Sequence, residues 1–428
     1  MREMIYLTGQ IDSPFFTNEI GYFCNTFDKV HVLAYSDDRS KCDKIAAKYG
    51  FSYQFINTKK EIARTVIKLP SWNRRDYVIE EKETSCKGQT KSLKKKAYIN
   101  LYGLYALSVE KIIKEHIRSG NEIFLYSFWL SRPAFAIASM NIFRDKSIIR
   151  IVSRVHRYDI YEEDNSIGYL PFRRFITENL DTIYFSSKDT YEYYHGKRYS
   201  DKKNQATCKL SYLGTNEPET KKEIKNTEQI IIASCANIIH RKRLDLIIQV
   251  IACLSSLGNK VKWIHIGDGE LEEQIKKLAE RTFEKTDVDY SFVGRLADEE
   301  IYRLYYKENV DFFINMSDSE GIPVSILEAL SMGIPCIARD VGGNGDAIID
   351  GYDGILVQKD AIDVQGIKVI AKRIEEIFAN NSEYEKMSLN AVNHWDCVFC
   401  GKNNIQKICD DLINNDVVPS KQIAHILR

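Results

Sequence analysis

Two glutamates at a fixed spacing are the first candidates for chemistry in this sequence. Residues 317–338 read SDSEGIPVSILEALSMGIPCIA, with Glu320 and Glu328 on either side of a Gly-Ile-Pro turn. The apolar run VDFFINMS before them predicts a buried strand, and Pro323 suits the first position of a helix that ends near Gly333. Both carboxylates are therefore predicted at a junction between a strand and a helix.

The start of this helix is a suitable site for phosphate, because its first amides are free and lie at the positive end of the helix dipole. Glu328 lies about 7.5 Å along the axis from Pro323, and Glu320 lies in the loop on the other side. Two carboxylates would repel phosphate unless each accepts hydrogen bonds from sugar hydroxyls, so the pattern favours a nucleotide-sugar. Alternatively, these acids only complement the helix dipole, and the polar residues before them only cap the helix.

The elements around this segment alternate apolar strands with helices through the whole chain. Strands that are apolar on both faces, each followed by a helix, are typical of parallel sheets covered on both sides. The predicted strands are EMIYLTG, KVHVLAY, SYQFINT, EIFLYSFWL, SIIRIVSRVH and TIYFSS in the first half, and IIIASCAN, VKWIHIG, VDYSFVG, VDFFINMS, IPCIARD and GILV in the second. A polar stretch at 216–229 separates the halves.

We therefore predict an α/β protein with two doubly wound, Rossmann-like domains. The predicted boundaries are 1–215, 216–385 and 386–428, the last part being helices that cross back to the first domain. Ligands of such sheets bind beyond the carboxyl ends of the strands, so we expect the site in a cleft between the two facing domains.

The composition limits the class of protein. The chain has 428 residues, of which 44% are hydrophobic and 28% charged, as expected for a soluble protein of two or more domains. Lys plus Arg equals Asp plus Glu at 60 each, so the net charge does not indicate a nucleic-acid partner. A secretory signal and an apolar run of about 20 residues are both lacking. The ten scattered cysteines predict reduced thiols and a cytoplasmic location.

Two short motifs are weak indications of metal. Cys397 and Cys400 form a single CxxC without a second pair, and we interpret them as residues of a helix that faces the core. The DVD triplet at 287–289 resembles a metal-binding triplet of other sugar transferases, and we interpret it as a loop before a strand. We predict no metal site.

The stretch from Glu320 to Glu328, followed by ALSMGIPCIA, resembles the signature of glycosyltransferase family 4, a group of retaining sugar transferases with the GT-B fold. VGGNGDAI and GYDGILV resemble the glycine-rich loop and the following strand of that family. The resemblance covers the second half well and the first half more loosely. It implies transfer of a hexose-type sugar from a UDP- or GDP-sugar, with retention of configuration and without a cofactor. The implied acceptor is a glycan or a lipid-linked glycan of cell-surface polysaccharide biosynthesis.

The resemblance also implies roles for single residues. It assigns catalysis to Glu320, His156 and Lys242, and donor binding to Glu328, Gly321, Ile322, Pro323, Val324, Ser325, Asn237, Arg241, Arg243, Gly294 and Arg295. Asn237 stands where the family often has an arginine, and Arg241 or Arg243 is a candidate replacement. His156 would face the donor sugar, although a structural role stays open. The acceptor would bind the first domain, where candidate residues are Ser13, Pro14, Phe15, Arg154 and Asp159.

A basic segment precedes a tyrosine-rich helix in the first half. Lys87, Lys91, Lys94, Lys95 and Lys96 carry no interleaved acids. One interpretation is contact with an anionic membrane surface, at the inner face of the plasma membrane, where a lipid-linked acceptor would lie. The other is a solvated loop and helix start.

The sequence also bears on functions other than glycosyl transfer to a glycan. A nicotinamide oxidoreductase would need a third glycine after Gly267 and Gly269, where Glu272 stands instead. A non-catalytic protein that binds nucleotide-sugars stays open because of Asn237. Transfer to a protein or a small molecule also stays open.

Overall fold

The computed structural model of this chain describes residues 1–35, 38–56, 80, 93–165, 168–197, 199, 205–220 and 228–414. The chain divides into two compact units, Met1–Ser211 with Asn403–Arg428, and Tyr212–Lys402. Each unit contains one sheet of parallel strands, with buried hydrophobic clusters on both of its faces. The predicted class, two Rossmann-like α/β domains, is confirmed.

The first unit has a seven-stranded sheet in the order β3-β2-β1-β4-β5-β6-β7. The strands are β1 (Arg2–Leu7), β2 (Lys29–Ala34), β3 (Ser52–Phe55), β4 (Glu122–Ser127), β5 (Ile148–Val155), β6 (Thr182–Phe185) and β7 (Thr207–Leu210). The helices are α1 (Pro14–Thr26), α2 (Arg39–Tyr49), α3 (Leu93–Ile117), α4 (Arg132–Ser139), α5 (Arg173–Asn179) and α6 (Lys188–Lys197). The edge strand β7 was missed in the sequence, because it is only four residues long and none of them is fully buried.

Alternation along β1 shows why this sheet is covered on both faces. Ile5 and Leu7 lie in one hydrophobic cluster, whereas Met4 and Tyr6 lie in a second cluster on the opposite face. Side chains of a strand point alternately to its two faces, so a run that is apolar throughout must be buried on both.

The second unit has a six-stranded sheet in the order β10-β9-β8-β11-β12-β13. The strands are β8 (Gln229–Cys235), β9 (Lys260–Ile266), β10 (Val288–Phe292), β11 (Phe312–Asn315), β12 (Cys336–Arg339) and β13 (Gly354–Val357). The helices are α7 (Leu244–Ser256), α8 (Glu272–Phe283), α9 (Asp298–Glu308), α10 (Val324–Ser331), α11 (Asn344–Ala347), α12 (Val364–Ala379) and α13 (Asn381–His394). All six predicted strands are present. The DVD triplet is not a loop, because β10 begins at Val288.

The last helix, α14 (Gly401–Asn414), packs on the first unit. Ile405, Ile408 and Leu412 share a hydrophobic cluster with strand β1. Asp411 accepts a hydrogen bond of 2.5 Å from the Tyr184 hydroxyl and pairs with Lys209. The C-terminal segment therefore returns to the N-terminal domain, as predicted.

The return begins later than the predicted boundary at residue 386. Helix α13 stays with the second unit, where the Ser388 hydroxyl donates to the Gly333 carbonyl at 2.6 Å. Trp395 and Phe399 are buried in the core of that unit. These buried aromatic side chains hold residues 386–402 in the second unit, and the first unit resumes at Asn403.

The CxxC motif, Cys397 and Cys400, lies near the end of the second unit. The interpretation that both cysteines face the core from a helix is wrong for Cys397, which is exposed in a short π-helical turn, Trp395–Phe399, whereas Cys400 is buried. Among the residues described, no group of three or more His, Cys, Asp or Glu side chains could hold a metal ion. None of the described helices is long and apolar enough to cross a membrane.

Candidate active site

The order of strands in the second unit reverses between β8 and β11. Strands β9 and β10 lie on one side of this point, and β12 and β13 lie on the other. Ligands of doubly wound sheets bind in the crevice beyond the carboxyl ends of the strands at such a point. The loop that follows β8 contains HRKR (240–243), which includes the predicted Arg241, Lys242 and Arg243, and the loop that follows β11 contains SDSEG (317–321). Both predicted donor-binding segments therefore meet there.

Glu320 and Lys242 form an ion pair in this crevice. The Lys242 Nζ atom lies 2.5 Å from Glu320 Oε1, and the Asn315 amide donates to the same oxygen at 3.1 Å. Arg241 Nη1 lies 3.6 Å from the other carboxylate oxygen. Burial would raise the pKa of Glu320, but the charge and the hydrogen bond of Lys242 hold it below its usual value. The Glu320 carboxylate is therefore ionised at neutral pH.

The turn that carries Lys242 is tied to the SDSEG loop. A short 3₁₀ turn, His240–Lys242, leads into Arg243, which has a left-handed backbone with φ of 49° and stands at the start of α7. The guanidinium of Arg243 pairs with Asp245 at 2.8 Å and with Asp318 at 3.2 Å. Because the Asp318 amide also donates to the Arg241 carbonyl at 2.9 Å, the two loops are held in register.

Arg339, at the end of β12, is a positioning residue that we did not predict. Its side chain is almost fully buried and donates to the carbonyls of Met316 and Ser317, both at 3.2 Å. It also pairs with Asp318 at 2.6 Å. The signal in the sequence was a charged residue closing the buried strand IPCIARD.

The glycine-rich loop VGGNGD packs against the backbone of the SDSEG loop. A Cβ atom on Gly342, which has φ of +53°, would lie 2.0 Å from the Glu320 carbonyl oxygen. A Cβ on Gly343 would lie 2.2 Å from the Gly321 carbonyl oxygen. Both positions require glycine so that the loop can contact the residues around Glu320.

Helix α10 begins one residue later than predicted, with Pro323 as its N-cap. The Pro323 carbonyl accepts hydrogen bonds from the amides of Ile326 and Leu327. The amides of Val324 and Ser325 have no acceptor in the described structure. They are two donors at the positive end of the helix, which suits an anion. Gly333 ends this segment with φ of +75°, as predicted.

Glu328 differs from Glu320 because no cation compensates it. Its side chain is buried, and its carboxyl has no hydrogen-bond or ion-pair partner within the described ranges. Burial, followed by the negative charge of Asp298, raises the pKa of Glu328 to about 8. Most Glu328 carboxyls therefore carry a proton at pH 7 and are available to a ligand.

Asn237 is uncharged, but its side chain lies next to the guanidinium of Arg295. Arg295 Nη2 lies 3.0 Å from Asp268 Oδ1 and 3.4 Å from Asn237 Oδ1. Gly294 holds this segment near the end of β9 through a bridge to Gly267. The structure therefore brings the predicted residues Gly294 and Arg295 to the loop that follows β8.

The paired glycines after β9 have a packing role. A Cβ on Gly267 would lie 2.0 Å from the Ala236 carbonyl oxygen, and one on Gly269 would lie 2.4 Å from the Ile238 carbonyl oxygen. These close approaches explain both glycines without a dinucleotide ligand.

In the first unit, His156 follows β5 and stacks on Phe128, with ring centroids 4.4 Å apart. Trp129 lies 5.0 Å from the same imidazole. Burial, and then the positive charge of Arg154, lower the pKa of His156 well below its usual value, so the ring is neutral at pH 7. Its Nε2 atom has no hydrogen-bond partner among the described residues.

Arg154 and Asp159 are buried and bonded to other groups of the first unit, and their place in the acceptor site stays a prediction. Arg154 is fully buried and pairs with Glu19, which also accepts hydrogen bonds from the hydroxyls of Tyr6 and Tyr126. The Asp159 carboxylate accepts a hydrogen bond from the Leu130 amide at 3.1 Å, and burial raises its pKa to about 7. Both side chains are therefore held by contacts within the protein, Arg154 by Glu19 and Asp159 by backbone amides.

The other predicted acceptor residues lie at the start of α1. The Ser13 hydroxyl caps this helix by accepting from the Phe16 amide at 3.3 Å, and Pro14 is its first residue. Phe15 is 38% exposed. Of the basic segment, Lys87 and Lys91 lie outside the described residues, as do the side chains of Lys94, Lys95 and Lys96 at the start of α3.

Comparison with known proteins bears on the class of this site. Residues 215–394 match the family model of glycosyl transferases group 1. This segment, less than half of the chain, is similar to group 1 glycosyl transferases. It contains Glu320, Glu328 and Lys242, and the match confirms the predicted class of enzyme.

Curated relatives are matched over part of their length. The chain is 26% identical to an uncharacterised glycosyltransferase of Methanocaldococcus jannaschii, over 60% of this chain and 66% of the relative. It is 30% identical to the amylovoran biosynthesis glycosyltransferase AmsK of Erwinia amylovora, over 34% of this chain and 36% of the relative. It is also 30% identical to the O-antigen biosynthesis glycosyltransferase WbnH of Escherichia coli, over 36% and 39%.

Solved structures resemble the chain along nearly its whole length. Anabaena Alr3699/HepE, in complex with UDP and glucose, has a TM-score of 0.63 at 14% identity and covers 96% of this chain and 99% of its own. The lipopolysaccharide outer core galactosyltransferase WaaB has a TM-score of 0.64 at 13% identity, with coverage of 96% and 99%. These similarities confirm the predicted GT-B fold class.

Proposed function

We propose that this protein is a retaining glycosyltransferase of the family 4 type. It transfers a hexose-type sugar from a UDP- or GDP-sugar to a glycan or a lipid-linked acceptor in cell-surface polysaccharide biosynthesis. The observation that carries the proposal is the Lys242–Glu320 ion pair beside the free amides of α10, at the point where the strand order reverses.

The diphosphate binds between the start of α10 and the HRKR turn. Val324 and Ser325 offer free amides, and Lys242 and Arg241 offer positive charge on the other side of the crevice. Lys242 is then shared between the Glu320 carboxylate and the diphosphate. An ammonium group with three donors suits this position, because one hydrogen bond can stay with the carboxylate.

The donor sugar binds next to Glu320 and the ribose next to Glu328. Glu320 is ionised and acts as an acceptor, so it binds sugar hydroxyls that donate to it. Glu328 has no partner among the residues described, and the ribose hydroxyls supply one. This assignment explains why two buried carboxyls stand close to an anion site without repelling the ligand.

Transfer proceeds by displacement on one face of the sugar ring. The carboxylate of Glu320 is held by Lys242 and Asn315, which positions it for hydrogen bonding to the sugar rather than for attack on it. The bond to the diphosphate breaks as the acceptor oxygen forms the new bond on the same face of the sugar, and the hydroxyl proton passes to the departing phosphate oxygen. The remaining charge of the diphosphate is stabilised by Lys242 and the amides of α10.

The names of the relatives support the proposed acceptor. AmsK and WbnH are named for amylovoran and O-antigen biosynthesis, and a relative in Staphylococcus aureus, CapM, is named for capsular polysaccharide biosynthesis. An acceptor of that kind places the protein at the cytoplasmic face of a membrane, with the segment from Lys87 to Lys96 as the proposed contact.

Turnover of nucleotide-sugars tests the proposed reaction. The protein is incubated with UDP-glucose, UDP-N-acetylglucosamine and GDP-mannose, and release of diphosphate and the anomer of the freed sugar are followed by NMR. We expect one donor to be cleaved with retained configuration, about 100-fold more slowly in Glu320→Gln. Glu385→Gln, on an exposed face of α13, is the matched control.

The alternative outcomes separate the remaining hypotheses. An inverted sugar product would show that the retaining mechanism is wrong. Binding of a nucleoside diphosphate without any cleavage would favour a non-catalytic nucleotide-sugar-binding protein, the candidate that the uncharged Asn237 keeps open.

A further inference from the structure

The first unit also has a point at which its strand order reverses, between β1 and β4. The loops that follow these two strands carry Gly9 and Trp129, and the neighbouring strand β2 is followed by Tyr35. Since ligands of doubly wound sheets bind at this position, the side chains there are candidates for a second binding site. These side chains belong to the first unit, whereas Glu320 belongs to the second.

Four residues form a compact group at this point, which we name the Trp129 cluster: Gly9, Tyr35, Trp129 and Arg132. A Cβ atom on Gly9 would lie 3.6 Å from Trp129 Nε1 and 3.9 Å from Tyr35 Cδ2. The Arg132 guanidinium lies over the Tyr35 ring, 5.0 Å from its centroid. The cluster therefore combines two aromatic faces with one cation around a glycine.

Two hydrogen-bond donors of the cluster lack protein acceptors. Neither the Trp129 indole N–H nor the Arg132 guanidinium has a hydrogen-bond or ion-pair partner among the residues described. Two other arginines of this unit are paired, Arg144 with Asp181 and Arg157 with Asp164. The acid on the loop after β1, Asp12, lies 3.6 Å from Lys41 and does not neutralise Arg132.

His156 extends the cluster on the side of Trp129. This residue is 9% exposed, its ring lies 5.0 Å from the indole, and its Nε2 atom has no partner in the described residues. The exposed ring of Phe15 lies 6.4 Å from the same imidazole. Aromatic rings thus continue from Tyr35 to Phe15 across the carboxyl ends of the strands.

We propose that the Trp129 cluster binds an acceptor sugar that carries an anionic group. The indole and phenol rings contact the apolar face of the sugar ring, and the Arg132 fork binds a phosphate or a carboxylate. This inference rests on the proposed function, since it names the acceptor of the same reaction. The anion has two sources, the phosphate that links a sugar to a lipid carrier and the carboxylate of an acidic sugar.

Binding of simple sugars to the full chain tests the inference. Glucose 1-phosphate, glucuronate and glucose are titrated by tryptophan fluorescence and ligand-observed NMR, with the Glu320 site filled by saturating nucleoside diphosphate. We expect at least one anionic sugar to bind about tenfold more tightly than glucose. A preference for glucose 1-phosphate indicates the phosphate source, and a preference for glucuronate indicates an acidic sugar.

Variants locate the binding. Arg132→Gln should abolish the preference for the anionic sugar, Arg132→Lys should keep part of it, and Trp129→Phe should remove the fluorescence change. Trp263 and Trp395 are buried in the second unit and should not respond. Arg118→Gln is the matched control, because Arg118 is exposed and precedes β4 at the opposite edge of the sheet.

Equal affinity for all three sugars, or the same preference in Arg132→Gln and in Arg118→Gln, would overturn the inference. The melting temperature of each variant is measured with and without nucleoside diphosphate. If the diphosphate still stabilises the protein while the sugar preference is absent, only the inference fails. If no diphosphate binds, the proposed function fails independently of the Trp129 cluster.

Discussion

Glu320 and Glu328 stand eight positions apart and have opposite protonation states. Glu320 has Lys242 and Asn315 as partners and a pKa below its usual value. Glu328 is buried without a partner in the described structure, and its pKa rises to about 8. The difference follows from the surroundings, because compensation by a cation favours the charged form and burial alone disfavours it.

The raised pKa of Glu328 predicts a specific dependence of stability on pH. The folded protein keeps this proton up to about pH 8, whereas an unfolded chain releases it near 4.5. Between these values the folded state binds more protons, so its stability falls as pH rises, by at most about 1.4 kcal/mol per pH unit. We expect the Glu328→Gln variant to lack this contribution to the pH dependence of stability, because glutamine does not titrate.

The measurement compares melting temperatures of wild type and Glu328→Gln from pH 5 to pH 9. The melting temperature of the variant, relative to that of the wild type, should rise with pH and level off above about pH 8. Glu385→Gln, at an exposed position, should follow the wild-type curve. Parallel curves for wild type and Glu328→Gln would show that Glu328 titrates normally.

At the scale of elements, the site depends on loops that approach one another closely. Gly342 and Gly351 both have left-handed backbones, with φ of +53° and +73°. A Cβ on Gly342 would lie 2.0 Å from the Glu320 carbonyl, but one on Gly351 would meet no atom within 4 Å. Substitutions at these two glycines therefore distinguish the effect of backbone strain alone from the effect of displacing the Glu320 loop.

We expect Gly351→Ala to cost about 1 kcal/mol of unfolding free energy through strain alone. Gly342→Ala should cost more and should also weaken nucleoside diphosphate binding by about tenfold, because the Glu320 loop must move. Urea denaturation and calorimetric titration measure the two effects. If both variants bind the diphosphate equally well, the contact between these loops does not position the site.

The strands were predictable because their apolar runs are continuous and each is followed by a helix. Thr207–Leu210 was missed because an edge strand of four residues lacks that signal. The sequence shows the glycines of VGGNGD but does not show why glycine is required there. The Cβ clash that excludes other residues is with the backbone of Glu320, 22 residues earlier. Contacts between loops far apart in sequence leave no periodic pattern.

At the scale of the whole molecule, the two units follow one plan. Each is a doubly wound parallel sheet, and each has polar or aromatic side chains where its strand order reverses. Glu320, Glu328 and Lys242 could be predicted because a long motif marks them. Arg154 and Arg339 could not be placed, because an arginine that ends a strand looks the same in sequence whether it faces a ligand or pairs inside the core.

The boundaries between the two units could be predicted from the sequence only in part. A polar stretch marks the first boundary, which lies at Ser211–Tyr212 rather than at 215–216. Composition does not mark the second boundary, because α13 and α14 are both amphipathic helices. Only the burial of Trp395 and Phe399 decides that the second unit continues to Lys402.

The most direct test of the central claim is the melting temperature of the full chain with UDP, GDP, ADP and TDP. A ligand at 100 times its dissociation constant adds about 2.7 kcal/mol to the free energy of unfolding. We predict that one diphosphate raises the melting temperature of the wild type and of Lys386→Met, an exposed control on α13. The rise should be absent in Lys242→Met. If no diphosphate raises it, or if Lys242→Met responds as the wild type does, the crevice around Glu320 and Lys242 is not a nucleotide-sugar site.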